Sequence, residues 1–392
     1  MNISKNKDNF KSEKKYEKKF LLNDSESSDK KEQNAFKQWQ KRKNNPYAFY
    51  NKEQKVVFID GAGIQNTCSV NEEHKAIKKI DFILGIAMFI YLMEDFLIGN
   101  IFPALLHHMG IPVLYSFFND KIYGQQNFVI ITISIVEITR YLMPIIFIRK
   151  SFKLPVQVAT PFKSPFKKTT ISGLAATILL FFAVNWWIPF VDAKSKLGIS
   201  INSIIYNPSG IHPFWQAFYF IFEFLIIPAM IAMLFSGDMP QVLRQFGNGT
   251  AIFITSFIAS LMTHNITQFL PSFILCSIAS ACVIKSNSII PAIINHSIYR
   301  TFIFLLVLSR DVSSVSKISI FVFICLFSII IFILSLYQIK NSNFNKQIIL
   351  KYLNLKNIIN YIKEKIIYIF QNSILICVLM ISFIIAIATY IW

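Results

Sequence analysis

The chain reads as an all-α, polytopic transmembrane helix bundle of about nine spans behind a disordered N-terminal tail, and three observations carry that reading. Of 392 residues, 54% are hydrophobic and the mean hydropathy is +0.49, far from the balance of a water-soluble protein. Apolar runs near the length of a bilayer crossing recur along the sequence. Lys and Arg gather in the tail and in loops between those runs, which is the positive-inside pattern. The net charge of +18 therefore speaks for membrane topology and against a nucleic-acid partner. The richness in Ile, Asn, Lys and Phe beside only 12 Gly also fits an AT-rich genome, which discounts the basic total further. The cysteines (Cys68, Cys276, Cys282, Cys325 and Cys377) show no CxxC spacing and read as small buried hydrophobes.

Residues 1–75 are expected to be a basic, mostly disordered cytoplasmic tail; they are Lys-rich and hold no early apolar segment of the signal-peptide kind. Within them Lys55–Asp60, followed by Gly61-Ala-Gly63, predicts a short strand and turn. Candidate spans lie at about 80–101, 127–148, 170–191, 213–235, 250–268, 269–284, 288–308, 318–338 and 371–391. This divides the chain into N-terminal transmembrane helices over 76–200, a core over 201–310, and C-terminal helices with a basic cytoplasmic loop over 311–392. Pro271 falls between the fifth and sixth spans and predicts a tight hairpin or re-entrant connection there. The basic loops Arg149–Lys168 and Lys340–Lys365 both fall inside when nine spans are threaded from a cytoplasmic N-terminus, which leaves Trp392 outside. The expected location is the cell membrane, with the lipid bilayer as surroundings.

Three ionisable residues, Glu223, His264 and His296, each sit inside a different apolar segment. A carboxylate in hydrocarbon costs roughly 2.5 kcal/mol or more, so such groups default to a functional reading. Counting helix rise from the outer end at Pro213 places Glu223 ~15 Å down, and His296 lies ~12 Å up from its inner end, so the two approach one depth. His264 falls nearer the outer third. One Glu and two His are the side-chain types that activate water or bind metal.

The segments FWQAFYFIFEFLIIPAMIAML and FGNGTAIFITSFIASLMTHNITQFLPSFILCSIASACVIKSNSIIPAIINHSIYRTFIF carry a resemblance. They resemble the CPBP family of intramembrane proteases, also called the Abi or CAAX prenyl protease type II family, over roughly residues 213–308, which makes 201–310 a CPBP-like core. Glu223 falls on the first glutamate of the family's first motif, and His264 and His296 on the histidines of the second and third. The resemblance implies an endopeptidase for a membrane-anchored or membrane-embedded peptide or protein substrate. Glu223 would be the general base, His264 the partner that orients water, and His296 with Arg300 the stabilisers of the oxyanion.

This chain departs from the family pattern at four places. Phe224 stands for the second glutamate, Pro228 for an arginine, Ser260 for an aromatic and Arg300 for an asparagine. Pro228 predicts a kink just below Glu223. Arg300, one turn after His296, has two options: donation to an oxyanion, or pairing with Glu223 that keeps it ionised and inert. Two alternatives follow, a catalytically inactive pseudoprotease acting as a membrane scaffold and, less favoured, a transporter component. No cofactor is expected. Zinc is the alternative, with Glu223, His264 and His296 as ligands. Elsewhere Glu137 and Arg140 read as an intrahelical pair or a contact to a neighbouring helix, while Glu94 and Asp95 with His107 and His108 are a weak metal candidate. His212 with Trp186, Trp187 and Trp215 reads as an interfacial belt, and His74 as solvated. Oligomeric state and substrate identity are not legible.

Overall fold

The computed structural model describes Trp39 and residues 56–59, 63–66, 70–94, 99–116, 121–162, 167–187, 213–311, 314–340 and 373–391. Most of the tail, the basic stretch 341–365, Asp95 and His212 lie outside these residues. The protein is a multi-pass helical membrane protein. Among the described residues four helices are long and apolar enough to cross a bilayer, Gln126–Phe152, Pro213–Phe246, Ile266–Ser286 and Ile318–Tyr337, and four shorter apolar helices accompany them.

The strand and turn expected near Lys55 are present and are completed by a second strand: β1 (Val56–Ile59) pairs antiparallel with β2 (Gly63–Asn66). The first long helix, α1 (Val70–Met93), begins about ten residues before the expected span, because the charged run after Val70 continues the helix. It is followed by α2 (Gly99–His108) and by a second hairpin, β3 (Val113–Ser116) with β4 (Lys121–Gly124). Next come α3 (Gln126–Phe152), α4 (Lys167–Trp187), α5 (Pro213–Phe246), α6 (Asn248–Leu261), α7 (Ile266–Ser286), α8 (Ile290–Asp311), α9 (Ser314–Lys340) and α10 (Ser373–Ile391).

Two expectations are corrected. The fourth span was drawn to end at residue 235, but α5 runs on to Phe246 through Ser236-Gly237-Asp238, residues that read as a turn in sequence. The connection between the fifth and sixth spans lies at Met262–Asn265 and not at Pro271, which is inside α7. The side chain of Asn265 explains the shift. It accepts from the Thr267 amide at 3.0 Å and from the Thr267 hydroxyl at 2.7 Å, so it N-caps α7 six residues before the proline is reached.

Helix α5 is not uniform. Two stretches are π-helical, Phe222–Ile226 and Ala232–Asp238, and each ends two residues before a proline, Pro228 and Pro240. A proline ring clashes with the carbonyl four residues back and offers no N–H, and widening the turn removes the clash. The amide before each proline bonds in the wide register, Ile227 to the Phe222 carbonyl and Met239 to that of Leu234. In that register the missing donors of Pro228 and Pro240 release the carbonyls of Glu223 and Phe235. The kink expected from Pro228 is thus taken up as a π segment holding Glu223.

Two apolar clusters organise the bundle. One is built from α1, α3, α5, α6 and α10, with the tail residue Trp39 buried in it and its indole donating to the Phe152 carbonyl at 3.4 Å. The other is built from α4, α7, α8 and α9. Helices α1 and α10 approach so closely that a Cβ on Gly85 would stand 2.9 Å from the Leu375 amide nitrogen. The clusters meet where α5 and α7 pack on α8, around Ala232, Ala279, Val283, Ile289 and Ala292.

Candidate functional site

Glu223 lies in the first π segment of α5, and α8 crosses it. The guanidinium of Arg300 donates through Nε to Glu223 Oε1 at 2.7 Å, the short distance of a charge-assisted hydrogen bond. Side-chain exposure is 38% for Arg300 and 22% for Glu223, so the pair is reachable and not sealed in the core. Of the two options open in sequence, Arg300 takes the pairing with Glu223.

His296 is one turn earlier on α8, only 8% exposed, with Nε2 making no hydrogen bond among the described residues. Arg300 is within electrostatic reach of it, as the four-residue spacing on one helical face requires. Beside these groups the ring of Phe224, standing where the second glutamate was expected, meets Phe304 of α8 edge-on at 5.0 Å and stacks near Phe220 at 6.0 Å. The place of a second acid is thus filled by an aromatic wall between the two helices. Pro228 is buried below it.

His264 is not helical. It sits in the α6–α7 turn with φ of 51°, a left-handed conformation that histidine tolerates better than most residues. Its amide donates to the Leu261 carbonyl at 3.1 Å, closing α6. Glu223 makes no hydrogen bond or ion pair with His264 or His296, and its one polar partner among the described residues is Arg300. No group of three or more His, Cys, Asp or Glu among the described residues is arranged to hold a metal ion. That statement covers Glu223 with the two histidines and also Glu94, His107 and His108. Ser260, where an aromatic was expected, is buried and donates to Phe257 O at 2.7 Å; it lines a small recess with Asn265, Phe269 and Phe383.

Both arrangements open to Glu137 and Arg140 of α3 are present: the intrahelical pair, at 3.5 Å, and a contact to a neighbouring helix at the α6–α7 turn, where Arg140 Nη2 donates to the Met262 carbonyl at 3.4 Å. Glu137 and Tyr141 are within electrostatic reach of Arg300. A chain of polar groups therefore runs from the Glu223 pair to the turn that bears His264. Two buried acids were passed over. Asp238 is fully buried and held by Arg149, with Nε at 3.1 Å from Oδ1 and 3.0 Å from Oδ2. Asp81 in α1 is fully buried, and its carboxylate oxygens make no hydrogen bond among the described residues.

Residues 213–302 match the family described as Type II CAAX prenyl endopeptidase Rce1-like, the group that the sequence motifs resemble. The matched segment takes in α5, α6, α7 and the site-bearing half of α8. No curated protein and no solved structure matches the chain.

Proposed function

We propose, from the Rce1-like segment at residues 213–302, that this membrane protein is a CAAX-protease-like intramembrane endopeptidase acting on a membrane-anchored or membrane-embedded peptide. The observation that carries the reading is the acid held in a π-helical turn of α5 and paired with Arg300, one turn along α8 from His296, all inside the matched segment. Glu223 is the proposed base that takes a proton from water. His264 orients that water, and His296 faces the developing oxyanion. Donors already in place at such an oxyanion are worth around 3 kcal/mol each.

Arg300 has a double part in this reading. In the resting protein it balances the charge of Glu223, the duty vacated by the cation missing at Pro228. With substrate bound, its forked donors serve the oxyanion together with His296. The mechanism uses no metal. The nine-span threading with the N-terminus inside and the C-terminus outside remains the topology proposed, in the cell membrane, with His264 toward the outer face.

A second reading has its own observation. The 2.7 Å contact engages one carboxylate oxygen of Glu223 with the Arg300 guanidinium, and a base so held favours a pseudoprotease that binds membrane partners without cutting them. The two separate in nanodiscs with an internally quenched farnesylated CAAX peptide. The peptidase reading expects wild-type cleavage that Glu223→Gln abolishes. Equal traces from both proteins, for that peptide and for a panel of endogenous membrane peptides, leave the scaffold.

A further inference from the structure

Helices α1, α3 and α10 lie outside the family-matching segment, yet each sends a side chain to one residue of the α6–α7 turn. The residue is Met262, two before His264 and 1% exposed. Its carbonyl accepts from Arg140 Nη2 of α3 at 3.4 Å and from the Tyr91 hydroxyl of α1 at 3.5 Å. Its sulfur accepts from Ser382 of α10 at 3.7 Å. The guanidinium of Arg140 is fixed in turn, with its central carbon 4.5 Å from the centre of the Tyr91 ring and Nη1 3.5 Å from Glu137.

This arrangement answers two needs of the turn. The last carbonyls of a helix have no donor within it and carry the negative end of its dipole, so a cation at the C-terminus of α6 satisfies both. Beyond Met262 the chain must enter a left-handed conformation at His264, which a side chain bearing Cβ resists. Such a conformation persists only where its surroundings over-determine it. The neighbouring bonds do the rest of that work: Thr263 Oγ1 donates to Ser260 O at 2.7 Å, and Asn265 caps α7.

We propose that Arg140 and Tyr91 are positioning residues that set the orientation of His264 through the main-chain carbonyl of Met262. The catalytic consequence rests on the peptidase reading above, whereas the geometric consequence stands without it. Arg140 acts through its fork and its charge together. Lysine keeps only the charge, methionine neither, and Phe at position 91 keeps the ring while removing the hydroxyl.

The test is the rate at which diethyl pyrocarbonate modifies each histidine in full-length protein in nanodiscs, read by peptide mass spectrometry. Arg140→Met is expected to change the His264 rate by about fivefold, the factor that one ordinary hydrogen bond is worth, while buried His296 stays unreactive. Arg140→Lys should fall between it and wild type, and Tyr91→Phe should move the rate in the same direction by a smaller factor. With the farnesylated peptide, kcat should fall in the same order while KM holds. A His264 rate unmoved in both Arg140→Met and Tyr91→Phe overturns the proposal, and so does a parallel rise at His264 and His296, which marks general loosening. A selective change at His264 in proteins that cleave nothing supports the positioning role and removes only the hydrolytic reading.

Discussion

Helix α5 contains the same device twice, and the two copies have different fates. Each is a π-helical stretch ended by a proline, each carries one acid, and each acid meets an arginine from another helix. Around Asp238 everything is closed. The acid is fully buried, both its oxygens are held by Arg149, and Arg149 also reaches the Thr160 hydroxyl at 3.4 Å. The carbonyl that Pro240 releases at Phe235 is taken by Ser280 Oγ at 3.3 Å and Cys276 Sγ at 3.7 Å from α7. A Cβ on Gly237 would come within 2.8 Å of the Ala159 carbonyl, so even the backbone is clamped.

Around Glu223 the device is left open. One carboxylate oxygen is bound, both partners are partly exposed, and no side-chain donor among the described residues reaches the carbonyl released by Pro228. The difference shows that a widened turn with a buried acid is not by itself a site. What separates the copies is satisfaction. The Asp238 copy, inner in the sense that it is fully buried, has its polar groups matched and serves as a staple, while the partly exposed, outer copy at Glu223 keeps hydrogen-bonding capacity free.

The contrast breaks most visibly at the inner copy. Removing one partner of a buried ion pair leaves an uncompensated charge and costs about 3–5 kcal/mol. Asp238→Ala should therefore lower the thermal midpoint of the detergent-solubilised protein severely, or prevent its accumulation. Glu223→Gln, at a partly exposed pair, should cost about 0–1 kcal/mol and leave the unfolding curve nearly in place. If the two substitutions destabilise equally, the division between staple and site is wrong.

Activity should show the reverse order. Glu223→Gln is expected to remove cleavage of the farnesylated peptide, whereas Arg300→Asn, which restores the amide donor of the family pattern, should retain it. Arg300→Met offers no donor and should lower kcat by about 10²-fold, the loss typical of one oxyanion donor. Arg300→Met with wild-type kcat would confine Arg300 to charge balance.

Pro228→Ala gives an N–H back to the ladder and should draw 222–226 toward the α register, turning Glu223 away from Arg300. Cleavage is expected to fall about tenfold or more, as misplacement of a reacting group by a fraction of a turn does. Stability should hold or rise, because the alanine restores a backbone bond. Double electron–electron resonance between spin labels placed on α5 and α8 reports the rotation, and an unmoved distance distribution with full activity would deny the π turn any role in aiming the acid.

How much of this was legible in sequence follows the same line between satisfied and unsatisfied groups. The helical membrane class and the strand and turn near Lys55 followed from hydropathy and turn residues, which act locally. Glu223, His296 and Arg300 stood out because each interrupts an apolar run. Asp238 did not, since Ser236-Gly237-Asp238 before a proline has the composition of a loop, and only the donors of α7 and Arg149 of α3 make a helix of it. The α6–α7 turn was misplaced for a related reason. Pro271 is the strongest breaker by propensity, but it lies where α7 tolerates it, and the decisive signal was the capping side chain of Asn265. For Arg140 the sequence offered a local pair or a contact to a neighbouring helix, but not the partner, because Met262 lies 122 positions along the chain.

The smallest expected effect tests satisfaction directly. The Phe235 carbonyl has two donors from α7, so either alone is dispensable: Ser280→Ala or Cys276→Ala should each cost about 0.5–1 kcal/mol. Together they leave a fully buried carbonyl without a partner, and the double variant should lose about 1–3 kcal/mol, more than the sum of the singles. Chemical denaturation in mixed micelles of the four proteins completes the cycle. Strict additivity would mean that the hydroxyl and thiol do not share that carbonyl, and that the inner π segment is held by packing against α7 alone.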